Sequence, residues 1–459
     1  MIEHIPQEIL DIYKKLIRAT FEVYLVGGCV RNMLLKKPVK DWDMTTNATP
    51  EDLLKIFKEG FYDNKFGTVG IPIEIEKENK VVEITTFRTE HGHLDSRHPQ
   101  KVLWGKTIEE DLARRDFTIN AIALRLTLFA QGKPSFELVD PYEGQKDIDK
   151  KIIRAVGNPK ERFKEDALRL LRAIRIATEL SFVIEEKTWK EMLTDASLIG
   201  KVSGERIRIE LLRILGSDTA YEGIMLLKDS NLLNHILPEL MEGIGISQKR
   251  PGRHHVDDVF THNVLSLKFC SSTDPIVRFA ALLHDVGKPK VMSKDEDGLV
   301  IFYNHEVSGA NIAREICDRL KFSRKERDKI VNLIRWHMFT VDEKLSDAGI
   351  RRFIRRIGVE NVKDMMDLRI GDRLGGGTQT AESWRLKLFK KRIEDQLKPL
   401  PFSINDLAID GNDIIKELKM KPGPKIGEIL QKLFGEVDED LSKNKKEYLL
   451  ERIKELNKV

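Results

Sequence analysis

Leu25 to Thr46 reads LVGGCVRNMLLKKPVKDWDMTT. The run from Phe21 to Val26 that leads into it is rich in apolar, β-branched and aromatic residues, which predicts a short buried strand. Gly27-Gly28 lets the backbone approach a ligand with no Cβ in the way. Cys29 to Leu35 then continues at helical spacing. A helix N-terminus presented like this attracts anions, and Arg31 adds a charge suited to phosphate. A turn through Lys36 to Val39 leads to Asp41-Trp42-Asp43, and in an extended chain both carboxylates share one face. Two neighbouring carboxylates repel unless a cation lies between them. Oxygen ligands of this kind suit Mg²⁺ held jointly with substrate phosphates. The stretch therefore predicts an α/β head built for metal-dependent phosphoryl or nucleotidyl transfer.

The whole chain sets wider bounds. Its 459 residues suffice for about three domains, each with its own core. Lys and Arg total 78 against 74 Asp and Glu, a formal charge of +4. That balance permits nucleic-acid binding through local patches without requiring it. The three cysteines, Cys29, Cys270 and Cys317, have no zinc-like spacing and fit a reducing compartment. The opening MIEHIPQEILDIYKKL is an amphipathic, partly acidic helix rather than a signal peptide. No apolar run is long enough to span a bilayer, so the expectation is a soluble, cytoplasmic protein with no membrane partner.

After the opening stretch, Thr49 is placed to cap a helix whose first turn holds Pro50. Val69 to Ile75 and Val81 to Phe87 read as two paired strands. Strand, Gly-Gly, helix and Asp-x-Asp together resemble the nucleotidyltransferase superfamily that includes DNA polymerase beta. The resemblance implies a third metal carboxylate on a later strand, and Glu83 in Val82-Glu83-Ile84 fits it. Arg88 to Lys106, RTEHGHLDSRHPQKVLWGK, is a mobile loop by composition, either a disordered hairpin tip or a functional lid. From Thr107 a helix begins, with Thr107 and Glu110 as a capping box. Arg114-Arg115-Asp116 and Asn120 form a polar cluster ahead of the apolar Ala121 to Leu126. Arg115 could clamp a triphosphate, while Asp116 and Asn120 suit a ribose contact or the local backbone; a plain charged helix face is the other reading. Asp140-Pro141 and Gly144 mark a turn. Ile152 to Val156 is a final short strand closing the head.

Glu161 to Leu180, ERFKEDALRLLRAIRIATEL, reads as one helix. Ala167, Leu170, Leu171, Ile174 and Ala177 bury one face, while Glu165, Arg169 and Arg172 lie on another. Asp166 is one turn before Arg169. Ordinary surface ion pairs would account for this, yet the pair also suits a base edge. A carboxylate accepts from an exocyclic amine and a guanidinium donates to ring acceptors. Cytosine and adenine offer that amine; uracil and guanine present an oxygen there, which an Asp repels. LVGGCVR, DWDMTT, VEITTFR, EEDLARRDFTINAIAL, DPYEGQKDI and RFKEDALRLLRAIRIA, in this order and spacing, resemble the bacterial and eukaryotic class of CCA-adding tRNA nucleotidyltransferases over about residues 20 to 235. Bacterial poly(A) polymerases share most of these motifs. The resemblance implies Asp41 and Asp43 as metal ligands and Arg115, Asp116 and Asn120 as nucleotide-site residues, with Asp166 and Arg169 as the amino-acid template. Gly27, Gly28, Arg31, Arg172 and Arg175 complete the nucleotide-binding candidates. VSGERIRIELLRIL, Val202 to Leu215, resembles the helical neck that follows the template. Asn32 stands where members of the family commonly carry Asp, which implies the loss of a supporting contact.

From about Ser247 the composition changes. His254, His255, His262, His284-Asp285, His305 and His337 are followed by Asp372. Imidazoles and carboxylates together suit a transition metal, or Mg²⁺ or Mn²⁺. HDVGKP after the apolar FAALL resembles the HD-type metal-dependent phosphohydrolase domain. That implies His262, His284, Asp285 and Asp372 as core ligands, His305 and His337 as the extra ligands of two-metal versions, and Ni²⁺, Co²⁺ or Mn²⁺ as the ion. Such domains also persist as helical scaffolds. Gly376 to Val459 is helical and basic, with Pro399 to Pro401 as a break, and resembles the tRNA-contacting tail of one branch of the family. Gly423, Lys425 and Gly427 open a helix there, as a phosphate seat or as a tight turn between helices.

The expected architecture is α+β: a nucleotidyltransferase head over 1–155, a helical neck over 156–245, an HD-type domain over 246–375 and a helical tail over 376–459. The expected activity is addition of C, C and A to tRNA from CTP and ATP with Mg²⁺. A poly(A) polymerase, a CC-only or A-only enzyme, a stringent-response synthetase-hydrolase and a catalytically dead RNA chaperone are the rivals. The loop after Thr86 is present, and in this family its loss accompanies CC-only addition. The order of the two chemistries along the chain opposes the synthetase-hydrolase, and the intact carboxylates oppose the chaperone.

Overall fold

The computed structural model describes residues 5–64, 67–75, 77–93, 99–127, 135–248, 258–397 and 403–456. The chain forms two compact units, residues 1–241 with 319–322 and residues 242–318 with 323–459.

The first unit opens with α1 (Gln7–Arg18), which turns Ile9, Ile12, Tyr13 and Leu16 inward at helical spacing. The Tyr13 hydroxyl donates to the Val23 carbonyl and accepts from the Leu126 N–H, both at 2.8 Å, and so ties the helix to the sheet behind it. Then come β1 (Val23–Val26), α2 (Gly28–Leu34), β2 (Asp43–Thr46) and α3 (Pro50–Ile56). Thr49 caps α3 by accepting from the Asp52 N–H. Next are β3 (Phe61–Asn64), β4 (Thr68–Ile75) and β5 (Glu78–Thr86), followed by the pair β6 (Arg88–His93) and β7 (Pro99–Trp104). Helix α4 (Ile108–Ala113) begins with the expected capping box of Thr107 and Glu110. β8 (Ala123–Thr127) and β9 (Ser135–Val139) complete the strands of the main sheet.

That sheet has the order β3-β4-β5-β2-β1-β8-β9. Its register assembles the motifs. β1 and β2 are antiparallel, with Leu25 opposite Met44, so the end of β1 lies beside the start of β2. β5 runs parallel to β2 and sets Glu83 opposite Asp43. β8 starts beside Val26, opposite Ala123. Gly27-Gly28, Asp43, Glu83 and the polar run before β8 therefore arrive at one end of one sheet. They are up to about 95 residues apart in the chain, and only non-local pairing joins them.

Three elements differ from expectation. Arg88 to Lys106 is not an irregular loop, because its two arms pair as an antiparallel ribbon, Arg88 opposite Trp104; residues 94–98 lie outside the described residues. α4 stops at Ala113, where the chain turns through Arg114 into the 3-10 turn Thr118–Asn120. The expected strand at Ile152 to Val156 shrinks to β10 (Ile152–Ile153), which follows α5 (Gly144–Lys150) and stays out of the large sheet. Its neighbours along the chain are α6 (Pro159–Glu165) and α7 (Leu168–Leu180), then β11 (Val183–Ile184), with which it pairs in parallel. Helices α8 (Glu186–Asp195), α9 (Gly204–Leu215), α10 (Ala220–Asp229), α11 (Leu233–Ile236) and α12 (Pro238–Met241) complete this unit.

The second unit is almost wholly helical. α13 (Val259–Phe269) and α14 (Pro275–Leu283) are followed by the short α15 (Lys288–Val291) and the ribbon β12 (Ser293–Lys294) and β13 (Val300–Ile301). Then come α16 (His305–Arg319), α17 (Arg324–Trp336), α18 (Asp347–Ile357) and α19 (Val362–Gly375). α13 packs along α19, and α14 packs against both. The chain ends in α20 (Trp384–Leu397), α21 (Gly411–Leu418), α22 (Pro424–Glu439) and α23 (Lys446–Leu456). The last three share a core of Ile414, Ile429, Leu433, Leu449 and Ile453. Pro399 to Pro401, the expected break, lies outside the described residues. Among the described residues no helix is long and apolar enough to cross a membrane.

Candidate functional site

At the convergent end of the sheet, Asp41 and Asp43 line a cavity of about 840 Å³ together with Gly28, Arg31, Asn120, Arg172 and Arg175. A second cavity of about 290 Å³ is lined by Asp43, Glu83, Arg114, Arg115, Asp116, Asp166, Arg169 and Arg172. Asp43 and Arg172 line both. The strand begins at Asp43 rather than Asp41, yet both carboxylates reach the same space. Gly27, the residue before α2, has φ +74°, and a Cβ there would stand 3.1 Å from Arg115 Nη1 and 3.5 Å from Asp43 Oδ2. No other residue would suit both that backbone and that gap.

The charges around this end are cross-braced. Burial raises the pKa of Asp43; the Arg115 guanidinium opposes the shift and Asp41 adds to it. A carboxylate in that position gains from a nearby cation. Arg115 is itself held by Asp111 at 3.0 Å. Burial also opposes ionisation of Asp116, but Arg172 and the Asn120 hydrogen bond more than offset it, and its pKa lies well below the ordinary carboxylate value. Asp116 accepts from Arg172 at 2.6 Å, from Asn120 Nδ2 at 3.1 Å and from the Phe117 N–H at 2.9 Å. Asp116 is thus held by partners within the protein, the Phe117 backbone among them. Asn120 in turn accepts from Arg31 Nη1 at 2.8 Å. Asn32 also holds Arg31, accepting from Nε and Nη2 at 3.2 and 2.9 Å. The supporting contact expected to be lost at Asn32 is therefore made, by an amide oxygen in place of a carboxylate.

The helix expected over Glu161 to Leu180 is broken. Asp166 adopts an extended conformation (φ −146°, ψ 102°) between α6 and α7. Its carboxylate accepts from the Leu168 N–H at 3.1 Å, a cap-like use typical of Asp at a helix start. Asp166 does not pair with Arg169. It is gripped by Arg206 of α9, at 2.6 and 3.1 Å. Arg169 is held by Glu165 at 2.5 Å and by the Arg162 and Arg114 carbonyls at 3.1 and 2.7 Å. The break sets the two side chains side by side in the smaller cavity, each with its own brace. Arg175 pairs with Glu210 at 2.5 Å and Glu179 at 3.1 Å. Arg206, Glu210 and Asp111 were not singled out in the sequence. The first two sit in a helix whose ions look like ordinary i, i+4 neighbours, and only the fold points them at α7.

In the second unit six side chains meet. His262, His284 and Asp372 form one group, and His284, Asp285 and His337 another, with the candidate ligand atoms of each within 4.8 Å of one another. His262 Nε2 lies 3.1 Å from His284 Nε2, 3.2 Å from Asp285 and 3.3 Å from Asp372. His305 Nε2 lies 3.2 Å and His337 Nε2 3.6 Å from the other oxygen of Asp285. Gly287 has no room for a Cβ, which would fall 2.2 Å from the His305 carbonyl, so the loop after Asp285 seats directly on α16. The Nδ1 atoms of His284, His305 and His337 meet the carbonyls of Ala281, Phe302 and Ile334 at 2.8, 2.8 and 2.7 Å. Donation there leaves each Nε2 with its lone pair facing the cluster, the arrangement that prepares histidine for a metal. The Nε2 atoms of His305 and His337 are buried without a hydrogen-bond partner. Burial disfavours an imidazolium at His284, yet Asp285 and Asp372 raise its pKa to about 10, so a metal ion binding at its Nε2 would displace a proton. Lys288, with Gln248 beside it, pairs with Asp285 at 2.5 Å. His254 and His255 lie outside the described residues.

Residues 23–154 match the Poly A polymerase head domain family, and residues 293–453 match the family of tRNA nucleotidyltransferase domain 2. A CCA-adding enzyme of Pediococcus pentosaceus is 30% identical, over 99% of this chain and 99% of its own. An A-adding tRNA nucleotidyltransferase of Deinococcus radiodurans is 36% identical, over 89% of this chain and 90% of its own. The solved structure of the Bacillus stearothermophilus CCA-adding enzyme in complex with CTP superposes with a TM-score of 0.71 at 25% identity, covering 98% of this chain and 97% of that one.

Proposed function

The chain belongs to the CCA-adding tRNA nucleotidyltransferase family, and from that premise we propose how its residues divide the work. It adds C, C and A to the 3′ end of tRNA from CTP and ATP. The 3′-hydroxyl attacks the α-phosphate in line, so that a new P–O bond replaces the bond to pyrophosphate. Asp41, Asp43 and Glu83 would hold Mg²⁺; an all-oxygen set at one sheet end, with cations flanking it for the phosphates, fits that ion. When bound, Mg²⁺ lowers the pKa of the hydroxyl and neutralises the departing pyrophosphate. A nucleotide lying along α7 has its base beside Asp166 and Arg169 in the smaller cavity. Its phosphates then lie among Gly28, Arg31, Arg172 and Arg175 in the larger, with Arg115 at the junction. Arg206 orients Asp166, and Oδ2, which accepts from Arg206 alone, keeps a lone pair for an exocyclic amine.

The observation that carries this reading is the register of Asp43 against Glu83, with the template pair lining the same cavity. Extension of tRNA transcripts ending at the discriminator base, at C and at CC tests it, with each nucleotide alone and with CTP plus ATP. Growth of all three to CCA is expected. Extension only of the transcript ending in CC would favour A-only addition, a reading to which the identity with the Deinococcus radiodurans relative gives weight.

The histidine cluster supports a second activity. Its six side chains fit one or two transition-metal ions, Ni²⁺, Co²⁺ or Mn²⁺, because imidazole Nε2 atoms with their Nδ1 atoms pinned on carbonyls suit these ions. The ions would polarise a phosphate ester for attack by water. Removing a 2′,3′-cyclic or terminal phosphate from damaged tRNA would regenerate the hydroxyl that the head uses. Gly423, Lys425 and Gly427, exposed at the start of α22, offer the tail a contact with a tRNA backbone phosphate. Metal analysis after dialysis, with phosphate release from 2′,3′-cyclic nucleotides, tests the second site. A protein that holds no metal and cleaves nothing would make this unit a scaffold.

A further inference from the structure

Beside the histidine cluster two arginines are stacked on one tryptophan. The guanidinium of Arg335 lies over the Trp336 ring at 4.4 Å and that of Arg356 at 5.1 Å. Trp336 directly precedes His337. Arg335 also reaches Glu306 at 3.5 Å, and the other oxygen of Glu306 lies 3.9 Å from His305 Nδ1. The arginines therefore stand one ion-pair step from a cluster histidine, on the surface above it. Arg356 is exposed, and among the described residues it has no carboxylate partner. A guanidinium packed over an aromatic ring has already lost much of its conformational freedom, and that of Arg356 keeps its N–H groups for an anion.

The most exposed part of the cluster is tied to the same stretch of chain. Asp372 has the most exposed side chain of the cluster, at 19%. It is held by Arg369 at 2.9 Å, whose guanidinium lies over Phe339, three residues beyond Trp336. Met338 and Tyr303, next to His337 and two residues before His305, are 60% and 73% exposed. The rim thus combines fixed cations with apolar and aromatic surface. A lone phosphate monoester needs only the metals and one cation. Two arginines on a ring next to His337 are suited to a second phosphate, and exposed ring and thioether surface to a base.

We propose that the histidine cluster acts on the end of a single-stranded polynucleotide, with the reacting phosphate at the cluster and the neighbouring phosphodiester seated on Arg335 and Arg356 over Trp336. The proposal rests on the metal-dependent hydrolase reading of the cluster. The reaction balances as a hydrolysis. Water oxygen bonds to phosphorus, the bond from phosphorus to the ester oxygen breaks, and that oxygen leaves as a hydroxyl carrying one proton from the water. A free mononucleotide fills the cluster but not the seat, so it binds more weakly.

The test uses the full chain labelled with 5-fluorotryptophan. Its five tryptophans include Trp42 in the first unit as a reporter of binding there. Fluorine NMR of the metal-free protein is titrated with a tetra-adenylate ending in a 3′-phosphate and with adenosine 3′-monophosphate. The resonance lost in Trp336→Phe should move with the tetranucleotide at an affinity at least tenfold above that for the mononucleotide. In Arg356→Ala that preference should fall at least fivefold, in binding and in hydrolysis by the Mn²⁺-loaded protein, while CCA addition shows that the variant is folded. A Trp336 resonance unmoved by the tetranucleotide, with both probes hydrolysed equally well, would overturn the seat and leave the metal site standing. A wild-type protein that holds no metal and hydrolyses neither probe would overturn the hydrolase reading itself.

Discussion

The carboxylates at the sheet end and the histidine cluster solve the same problem in opposite ways. Asp41 and Glu83 are exposed, Asp43 is half-buried, and the arginines near them line two cavities. The ligands proposed there are three carboxylates, so substrate phosphates and water would complete the coordination of any Mg²⁺. The cluster in the second unit is almost closed: His262, His284, Asp285, His305 and His337 are all buried, and three of the imidazoles are oriented by backbone carbonyls. It could hold an ion without substrate. On the proposed reading, one site is assembled by its reaction and the other before it.

The largest effect that would test this contrast is at Asp43. Asp43→Ala should lower both C and A addition by several kcal/mol of transition-state stabilisation, a loss on the order of 10³-fold or more. Metal retained by the second unit should not change. Near-normal addition by the variant with Mg²⁺ alone would remove Asp43 from the site. The converse change is His284→Ala, which should empty the second unit of metal and abolish its hydrolysis while CCA addition stays within about twofold of wild type, as expected of sites in separate units that do not share partners. Mass spectrometry of the intact protein after dialysis distinguishes the two sites directly. The ion that survives should be lost in His284→Ala and kept in Asp43→Ala.

Selectivity comes next in size. Asp166→Ala should cost about 1–3 kcal/mol of discrimination against UTP and GTP, the usual worth of a paired base contact. Weaker binding of all four nucleotides with unchanged misincorporation would instead make Asp166 structural. Arg206→Ala frees the same carboxylate without removing it, so fidelity should fall by less.

The motifs around Leu25 to Thr46 were legible because local patterns announce them: a Gly-Gly after a strand, paired acids, a Thr cap followed by Pro. The capping box at Thr107 and Glu110 was legible for the same reason. The break at Asp166 was not. Phe163 and Ala167, both buried, keep helical spacing across it, while Asp166 is held by the Leu168 N–H and by Arg206, 40 residues away. The partners of Asp116 were hidden likewise, since Arg172 reaches it from another helix. The ribbon of β6 and β7 was obscured by its polar composition, although backbone pairing needs no apolar face. The histidine cluster was readable as a set of residue types. Its geometry, including the carbonyls that aim three of the four rings, belongs to the fold alone.

The smallest predicted effect is at Asn32. Its side-chain oxygen accepts twice from Arg31, and its amide donates to the Pro38 carbonyl at 3.2 Å, closing the turn that carries the chain towards Asp41. Asn32→Asp would keep the first contact and strengthen it with a charge. It would lose the second, because a carboxylate has no proton to give Pro38. The net change should be about 1 kcal/mol or less in stability, the scale of one hydrogen bond. It would also add one negative charge to the cavity that takes the phosphates. In an open site, where water and salt screen the field, that charge should raise the KM for CTP and ATP by no more than about threefold, with kcat little changed. If this end of the sheet were as closed as the histidine cluster, the same charge would act through a low dielectric and the loss would be far larger. Steady-state kinetics of Asn32→Asp at low and physiological salt therefore measures how open the site is: a small effect that shrinks further with salt supports the contrast, and a large, salt-insensitive one breaks it.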